Sequence, residues 1–365
     1  MTARNGSIMK YFTALLAYSL PLIIFACSGS KQTIQPGTKT ALVFYYEAEE
    51  NIKQQDFPTA LSNLDSAIYY NPGFASLYQL KGWVLENLDQ PDSAIAAYES
   101  YLNYRSTQPE ILWKVGELCL DVGKNNHAAT YLKKAVQLYP DTSEIHFQLG
   151  KANYNLGYYT LAQDYFQSYQ KLEEMPKNEF WKWSGMAYFE SKKYAKAIKQ
   201  FEKYAEIEKE DPEALKYLGL ANFESGEYED AITYLNFAES YLKGDPEIYL
   251  YRSRYYQMAD KPEIAQQELM DALQFDSLNV NILYELAVLN HEEQEYAKCQ
   301  TYMMKVVELD SEYWRAYRYL GFLAEREGNL NEARSYYKLY LENTYERDEE
   351  VRQRFESVTT GVREE

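Results

Sequence analysis

The sequence predicts an all-α solenoid: about nine helix–turn–helix pairs stacked in series, with one further helix closing the C-terminal end. Three observations carry this prediction. An alanine recurs at Ala60, Ala94, Ala128, Ala162, Ala197, Ala231, Ala265 and Ala333, with Cys299 in the remaining place, and the spacing is 34 residues except for one interval of 35 between Ala162 and Ala197. Twelve residues before each stands a small residue: Ala48, Gly82, Gly116, Gly150, Gly185, Gly219, Ser253, Ala287 and Gly321. Four residues after each stands a large apolar one: Leu64, Tyr98, Leu132, Phe166, Phe201, Leu235, Leu269, Met303 and Tyr337. A fixed period of this length marks a repeat architecture, because one helix pair cannot bury its apolar face alone and must stack on its neighbours. Small residues let the two helices approach, and the large residue fills the space beside them.

The elements follow in order. Residues 1–26 read as an export signal: Arg4 and Lys10 precede a mainly apolar run, Tyr11 to Ala26, of 16 residues that includes Pro21. That run is shorter than the about 20 residues of a membrane span and fits the core of a secretory signal. Ile24-Phe25-Ala26-Cys27 resembles the lipobox of bacterial lipoproteins, with Phe25 bulkier than the usual small residue. The resemblance implies cleavage before Cys27 and lipid on that residue, and Ser28 after it resembles lipoproteins sorted to the outer membrane, facing the periplasm. Removing Arg4 and Lys10 would take the formal charge from -18 to -20. Residues 27–40 then form the lipidated cysteine and a polar tether, which reaches about 45 Å when extended.

The nine pairs occupy 41–74, 75–108, 109–142, 143–176, 178–211, 212–245, 246–279, 280–313 and 314–347. Residues 218–242 show the pattern well: apolar residues recur at the three- and four-residue spacing of a helix, and Gly226 interrupts them. Gly123, Gly157 and Gly328 stand at the same place in their pairs. Pro109, Pro212 and Pro246 open three pairs, where a proline costs little in a first helical turn. Pro72 and Pro140 close two. In 348–365, Val351, Phe355 and Val358 share one helix face and suit a cap, with Glu349, Glu350, Arg352 and Arg354 keeping its outside soluble.

This pattern of Leu-Gly, Ala, Phe/Tyr and Pro over 34 residues resembles the tetratricopeptide repeat (TPR) family across residues 41–347. The resemblance implies a right-handed superhelix whose first helices line a concave groove. The pattern departs from the family at Glu47 and Arg252, where Leu is usual, and at Asn51, Asn153, Asn222 and Asn290, where Tyr is common.

No constellation for catalysis, a cofactor or a metal is legible. The histidines, His127, His146 and His291, have no metal-ligand spacing. Cys119 and Cys299 fall at core positions, five pairs apart, which excludes a bridge between them. There is no glycine-rich phosphate loop, G-x-S-x-G or H-E-x-x-H. A formal charge of -18 argues against nucleic acid, whose binding rests on Lys and Arg neutralising phosphates. The 38 tyrosines suit groove walls and interfaces, since Tyr buries area while its hydroxyl stays wet.

The repeat resemblance therefore implies a non-catalytic scaffold that binds a protein or peptide partner through an apolar or basic segment, and the lipobox resemblance implies its lipid anchorage in the bacterial cell envelope. Two other classes stay open: a permanent structural subunit of an envelope secretion or assembly complex, and a module for cell-wall glycan or peptide. The family's groove offsets place Phe147, Tyr154, Met186, Phe189, Leu220 and Phe223 in one stretch, with Lys182 and Lys216 beside it. Trp83 and Trp113 extend it toward the N-terminus, and Tyr284 and Phe322 toward the C-terminus. Exposed aromatic anchors flanked by charge are the composition of a binding hot spot, although the same rings suit packing on the next pair. Glu110, Glu144, Glu179, Glu213 and Glu247 recur at the second position of five pairs. A glutamate there complements the helix dipole, and the same stripe would suit a basic partner. The family's carboxylate clamp needs Asn at position 9, which no pair has, so an acidic C-terminal tail is not the expected ligand.

Overall fold

A computed structural model describes residues 36–344 and 348–361. The predicted lipid site, Cys27, and the signal before it lie outside the described residues. Every regular element among the described residues is an α-helix. The chain divides after Pro140 into two compact units. The first contains α1 (Pro36–Lys53), α2 (Phe57–Tyr70), α3 (Ala75–Asn87), α4 (Pro91–Tyr104), α5 (Pro109–Asp121) and α6 (Asn125–Leu138). The second contains α7 (Ser143–Asn155), α8 (Tyr159–Leu172), α9 (Asn178–Glu190), α10 (Tyr194–Ala205), α11 (Pro212–Ser225), α12 (Tyr228–Tyr241) and α13 (Pro246–Met258). It continues with α14 (Pro262–Phe275), α15 (Val280–Glu292), α16 (Tyr296–Leu309), α17 (Trp314–Arg326), α18 (Leu330–Asn343) and α19 (Glu349–Gly361).

Within each pair, the small and large residues of the repeat face each other. A Cβ added at Gly150 would come within 2.3 Å of the Phe166 ring, and one at Gly82 within 2.7 Å of Tyr98. The same closeness holds for Gly116 on Leu132, Gly185 on Phe201, Gly219 on Leu235 and Gly321 on Tyr337. At these points the ring or branched chain of the second helix lies directly across the glycine backbone of the first. The recurring alanines, from Ala60 to Ala333, are fully buried beside this contact, as is Cys299.

The turn between the helices of each pair needs one left-handed residue. Glycine supplies it at Gly123, Gly157, Gly226 and Gly328, with φ between 74° and 88°. The other five pairs use Gln55, Asp89, Lys192, Asp260 and Gln294 at φ of 55–61°, where an L side chain is strained.

Four of the six departures from the family pattern have local explanations. Asn153, Asn222 and Asn290 are buried, and each donates its side-chain N–H to the carbonyl four residues back, at 2.6–2.7 Å. Arg252 replaces an apolar residue and pairs with Glu268 at 2.7 Å, both largely buried. One Glu268 oxygen and the Arg252 Nε lack hydrogen-bond partners.

In the second unit, the first helices α7, α9, α11, α13 and α15 approach one another in succession more closely than the second helices do. The first helices thus line the inner face of that stack. α19 packs on α18 through Val351 and Val358, both buried.

Candidate partner-binding face

On the inner face of the second unit, one aromatic position repeats as a rivet. Tyr154 on α7 meets Tyr159 on α8 and Trp183 on α9, both with centroids 5.4 Å away. Phe189 on α9 meets Tyr194 on α10 at 5.6 Å and Tyr217 on α11 at 5.4 Å. Phe223 on α11 meets Tyr228 on α12 at 5.2 Å and Tyr251 on α13 at 5.1 Å. The contacts to the next pair are edge-to-face, at 75–85° between planes. That geometry sets the positive edge of one ring on the negative face of another. Each rung ties its own second helix to the first helix of the following pair.

The ladder breaks at the next pair, where Gln257, Pro262 and Glu285 replace the rings. Arg254 bridges there to Glu285 at 2.6 Å instead. It resumes with His291 on α15, against Tyr296 at 5.8 Å, Tyr319 at 5.1 Å and Phe322 at 4.9 Å. Burial and the positive charge of Arg318 hold the His291 imidazole below its ordinary pKa. Tyr284 packs beside this group, 5.0 Å from Tyr313.

The predicted groove residues therefore separate into two sets. Tyr154, Phe189, Phe223, Tyr284 and Phe322 are half-buried and keep part of each ring on the surface. Phe147, Met186 and Leu220 are 2%, 7% and 0% exposed and belong to the core. Phe147 lies under Phe166 and Tyr169, at 6.0 and 5.2 Å. Met186 packs with Phe201 and Leu218, and Leu220 with Leu235 and Ile248. Trp83 and Trp113, also half-buried, belong to the first unit, where Trp83 sets its ring edge-to-face with Phe57 at 5.8 Å.

Lys182 and Lys216, expected beside the groove, are paired with carboxylates of this chain. Lys182 reaches Asp211 at 3.0 Å and Glu213 at 2.6 Å. Lys216 reaches Asp245 and Glu247, each at 3.0 Å. Burial pulls the Lys216 ammonium down, but Glu247 and Asp245 outweigh it and hold its pKa at about 12. Asp211 also accepts from the Ala214 N–H at 3.0 Å and the Tyr204 hydroxyl at 2.8 Å, so it caps α11 while tying α9 and α10 to it. Arg318 repeats the arrangement with Asp348 at 3.2 Å and Glu350 at 3.3 Å, which carries the clip onto α19.

The glutamate stripe takes part in the same clips, a role beyond helix-dipole placement. Glu213 and Glu247 pair with Lys182 and Lys216, Glu179 with Lys151 at 2.9 Å, and Glu144 with Lys177. In the first unit, Glu110 accepts from the Tyr139 hydroxyl at 2.7 Å. These five are not a bare acidic ladder awaiting a basic partner.

Residues at two further positions of the repeat were missed by the family's groove offsets. Trp183, Tyr217, Tyr251 and Tyr319 supply the facing ring from the next pair, and Tyr159, Tyr194, Tyr228 and Tyr296 the ring from the same pair. Their recurrence at the repeat period was a readable signal.

Among the described residues, no group of three or more His, Cys, Asp or Glu is placed to hold a metal. Cys119 and Cys299 are fully buried, and burial raises their thiols to about 11 and about 12, away from nucleophilic use. No described helix is long and apolar enough to cross a membrane.

Models of the tetratricopeptide repeat match residues 116–179 and 184–241, and residues 75–107 and 280–313. Together they cover 189 of the 365 residues. No curated protein matches the chain by sequence. Among solved structures, the APC/C hetero-tetramer Cut9–Hcn1 is similar over 80% of this chain and 57% of that one, at 14% identity and a TM-score of 0.52. The MamA protein is 28% identical over 46% of this chain and 90% of its own, with a TM-score of 0.42. A tetratricopeptide repeat protein from Parabacteroides merdae is 14% identical over 69% of this chain and 99% of its own, with a TM-score of 0.46.

Proposed function

Because the chain belongs to the tetratricopeptide repeat family, we propose that it is a non-catalytic scaffold that holds a segment of another protein on the inner face of residues 141–361. Proteins of this family generally serve as interaction scaffolds. The observation that carries the reading is the ladder of Tyr154, Phe189 and Phe223, whose rings stay half-buried on the face that the first helices share. Rings held rigidly by neighbours offer a partner large contact area at little entropic cost. The lipobox-like residues before Cys27 support anchorage of this scaffold at the bacterial outer membrane through lipid on that cysteine.

The test is a crosslinking pull-down from envelope membranes with the wild type and with Phe223→Ala and Phe189→Ala. Because both rings also tie successive pairs together, each variant's melting is measured first. A partner captured by the wild type and lost from variants that still melt cooperatively supports the reading. An unchanged partner set refutes the use of this face. Lipid on Cys27 is tested separately, by mass spectrometry of the N-terminal peptide and by release of Cys27→Ala from membranes.

A further inference from the structure

Three features of the inner face say which chemistry suits it. The first is its own use of cations on rings. Lys151 stands 5.1 Å from the Trp183 centroid, Lys216 is 5.5 Å from Tyr217, and Arg254 is 5.4 Å from Tyr251. In each rung, the ring contributed by the following pair thus already carries a cation of this chain, and each cation is paired with a carboxylate.

The second feature is a pair of carboxylates outside these ion pairs. Phe189 and Phe223, the central rings of two successive rungs, are each followed by a glutamate, Glu190 and Glu224. Among the described residues, the Glu190 side chain makes no hydrogen bond or ion pair. Its ionisable neighbours are the tyrosines 154, 194 and 217 and the carboxylate of Glu247. Burial, with the negative charge of Glu247, pushes the Glu190 carboxyl above its ordinary value, as expected of a carboxylate short of a counter-charge. Glu224 accepts from two tyrosine hydroxyls, Tyr251 at 2.7 Å and Tyr194, and lies within reach of the Arg254 charge without a direct ion pair to it. The same ring-then-glutamate step resumes at His291 and Glu292, where burial and the charges of Glu285 and Glu293 raise Glu292.

The third feature is the local balance of charge. Lys182 and Lys216 each face two carboxylates, so each clip keeps a net negative charge before Glu190 and Glu224 are added. The whole chain carries -18.

We infer that the inner face of residues 141–361 takes a segment rich in arginine or lysine, whose cationic side chains seat on Phe189 and Phe223 and pair with Glu190 and Glu224. This deepens the scaffold reading above and rests on it. A cation there meets a ring face and a carboxylate together, the combination that the chain's own Lys151 and Arg254 already use. The two seats are one repeat apart, so the segment must carry its charges at intervals that serve successive helix pairs. An acidic segment would add like charges to a face already in excess of them.

The test uses fluorescence anisotropy with the chain from residue 28 onward and three labelled 20-residue helical peptides of identical apolar face. Their polar face carries arginine, glutamine or glutamate. The expected result is binding of the arginine peptide, at least tenfold weaker binding of the glutamine peptide, and none of the glutamate peptide. Glu190→Gln/Glu224→Gln should weaken the arginine peptide at least tenfold and flatten its salt dependence. Glu202→Gln/Glu229→Gln, the same charge change on exposed sites of the second helices α10 and α12, should not. Equal binding of the glutamine peptide, or equal effects of the two charge variants, overturns the cationic assignment. If Phe223→Ala still abolishes binding in that case, the scaffold reading stands without it. If the arginine peptide binds undiminished to both Phe223→Ala and the Glu190/Glu224 variant, both readings fall. No binding of any peptide overturns the cationic assignment.

Discussion

Gly150→Ala tests the tightest of the glycine contacts among the described residues. The added methyl would lie 2.3, 2.5 and 2.8 Å from three carbons of the Phe166 ring. Carbon atoms prefer about 3.5–4.0 Å, so the ring must retreat by about 1 Å. It has no space to do so: Phe166 is 1% exposed, tilted against Phe147 at 6.0 Å and edge-to-face with Phe180 at 6.1 Å. Overpacking of this kind costs about 1–3 kcal/mol. Alanine's better helix propensity returns about 1 kcal/mol, which leaves a net loss of up to about 2 kcal/mol. The first pair suggests the remedy, because there Ala48 stands at the same position opposite Leu64, both fully buried. Gly150→Ala/Phe166→Leu should therefore be more stable than the sum of the single variants, with a coupling of about 1–2 kcal/mol. The assay is urea unfolding followed by far-ultraviolet circular dichroism. Hydrogen exchange of α7 and α8 amides would locate the loss, since long repeat arrays can unfold in parts. A midpoint for Gly150→Ala equal to or above wild type, or additivity within about 0.3 kcal/mol, would refute the packing argument.

Four further predictions come from the same structure. Arg252→Met should destabilise by about 3–5 kcal/mol because it strands buried Glu268, whereas Arg252→Met/Glu268→Leu should be neutral or stabilising, both read by denaturant midpoint. Burial raises Glu268 above the ordinary carboxylate value despite Arg252, so the folded state binds its proton more tightly than the unfolded state. Its contribution to stability is therefore fully present below the unfolded pKa and is lost as pH rises through the folded one, and Glu268→Gln should flatten that part of the pH–stability curve. Lys192→Gly should raise the melting midpoint by about 0.5–1 kcal/mol equivalent, and Gly157→Ala should lower it by about 1, since both positions hold φ between 58° and 78°. In a Cys27→Ser background, Cys119 and Cys299 should react with a thiol reagent at pH 8 only as fast as the helices open, and rapid native labelling would contradict their burial.

The repeat was legible because it is local and periodic. Gly150 and Phe166 are 16 residues apart in one hairpin, so their sizes alone imply that they touch, and the pattern recurs nine times. The turn was half legible. Glycine marked it in four pairs, but Lys192 or Asp260 at the same φ carries no compositional sign of a left-handed residue. The binding face was least legible. Phe147, Met186 and Leu220 sit at positions the family uses for ligands, yet they are covered by rings and branched chains from the neighbouring helix or the next pair. Lys182 and Lys216 read as charges flanking the groove, and only stacking brings the carboxylates 29–31 residues onward beside them. By itself the sequence determined the helix pairs, their number and the small-on-large contact inside each one. Tertiary structure decided which rings stay open and which charges remain uncompensated, because burial and ion pairing at one position depend on side chains that only stacking brings within reach.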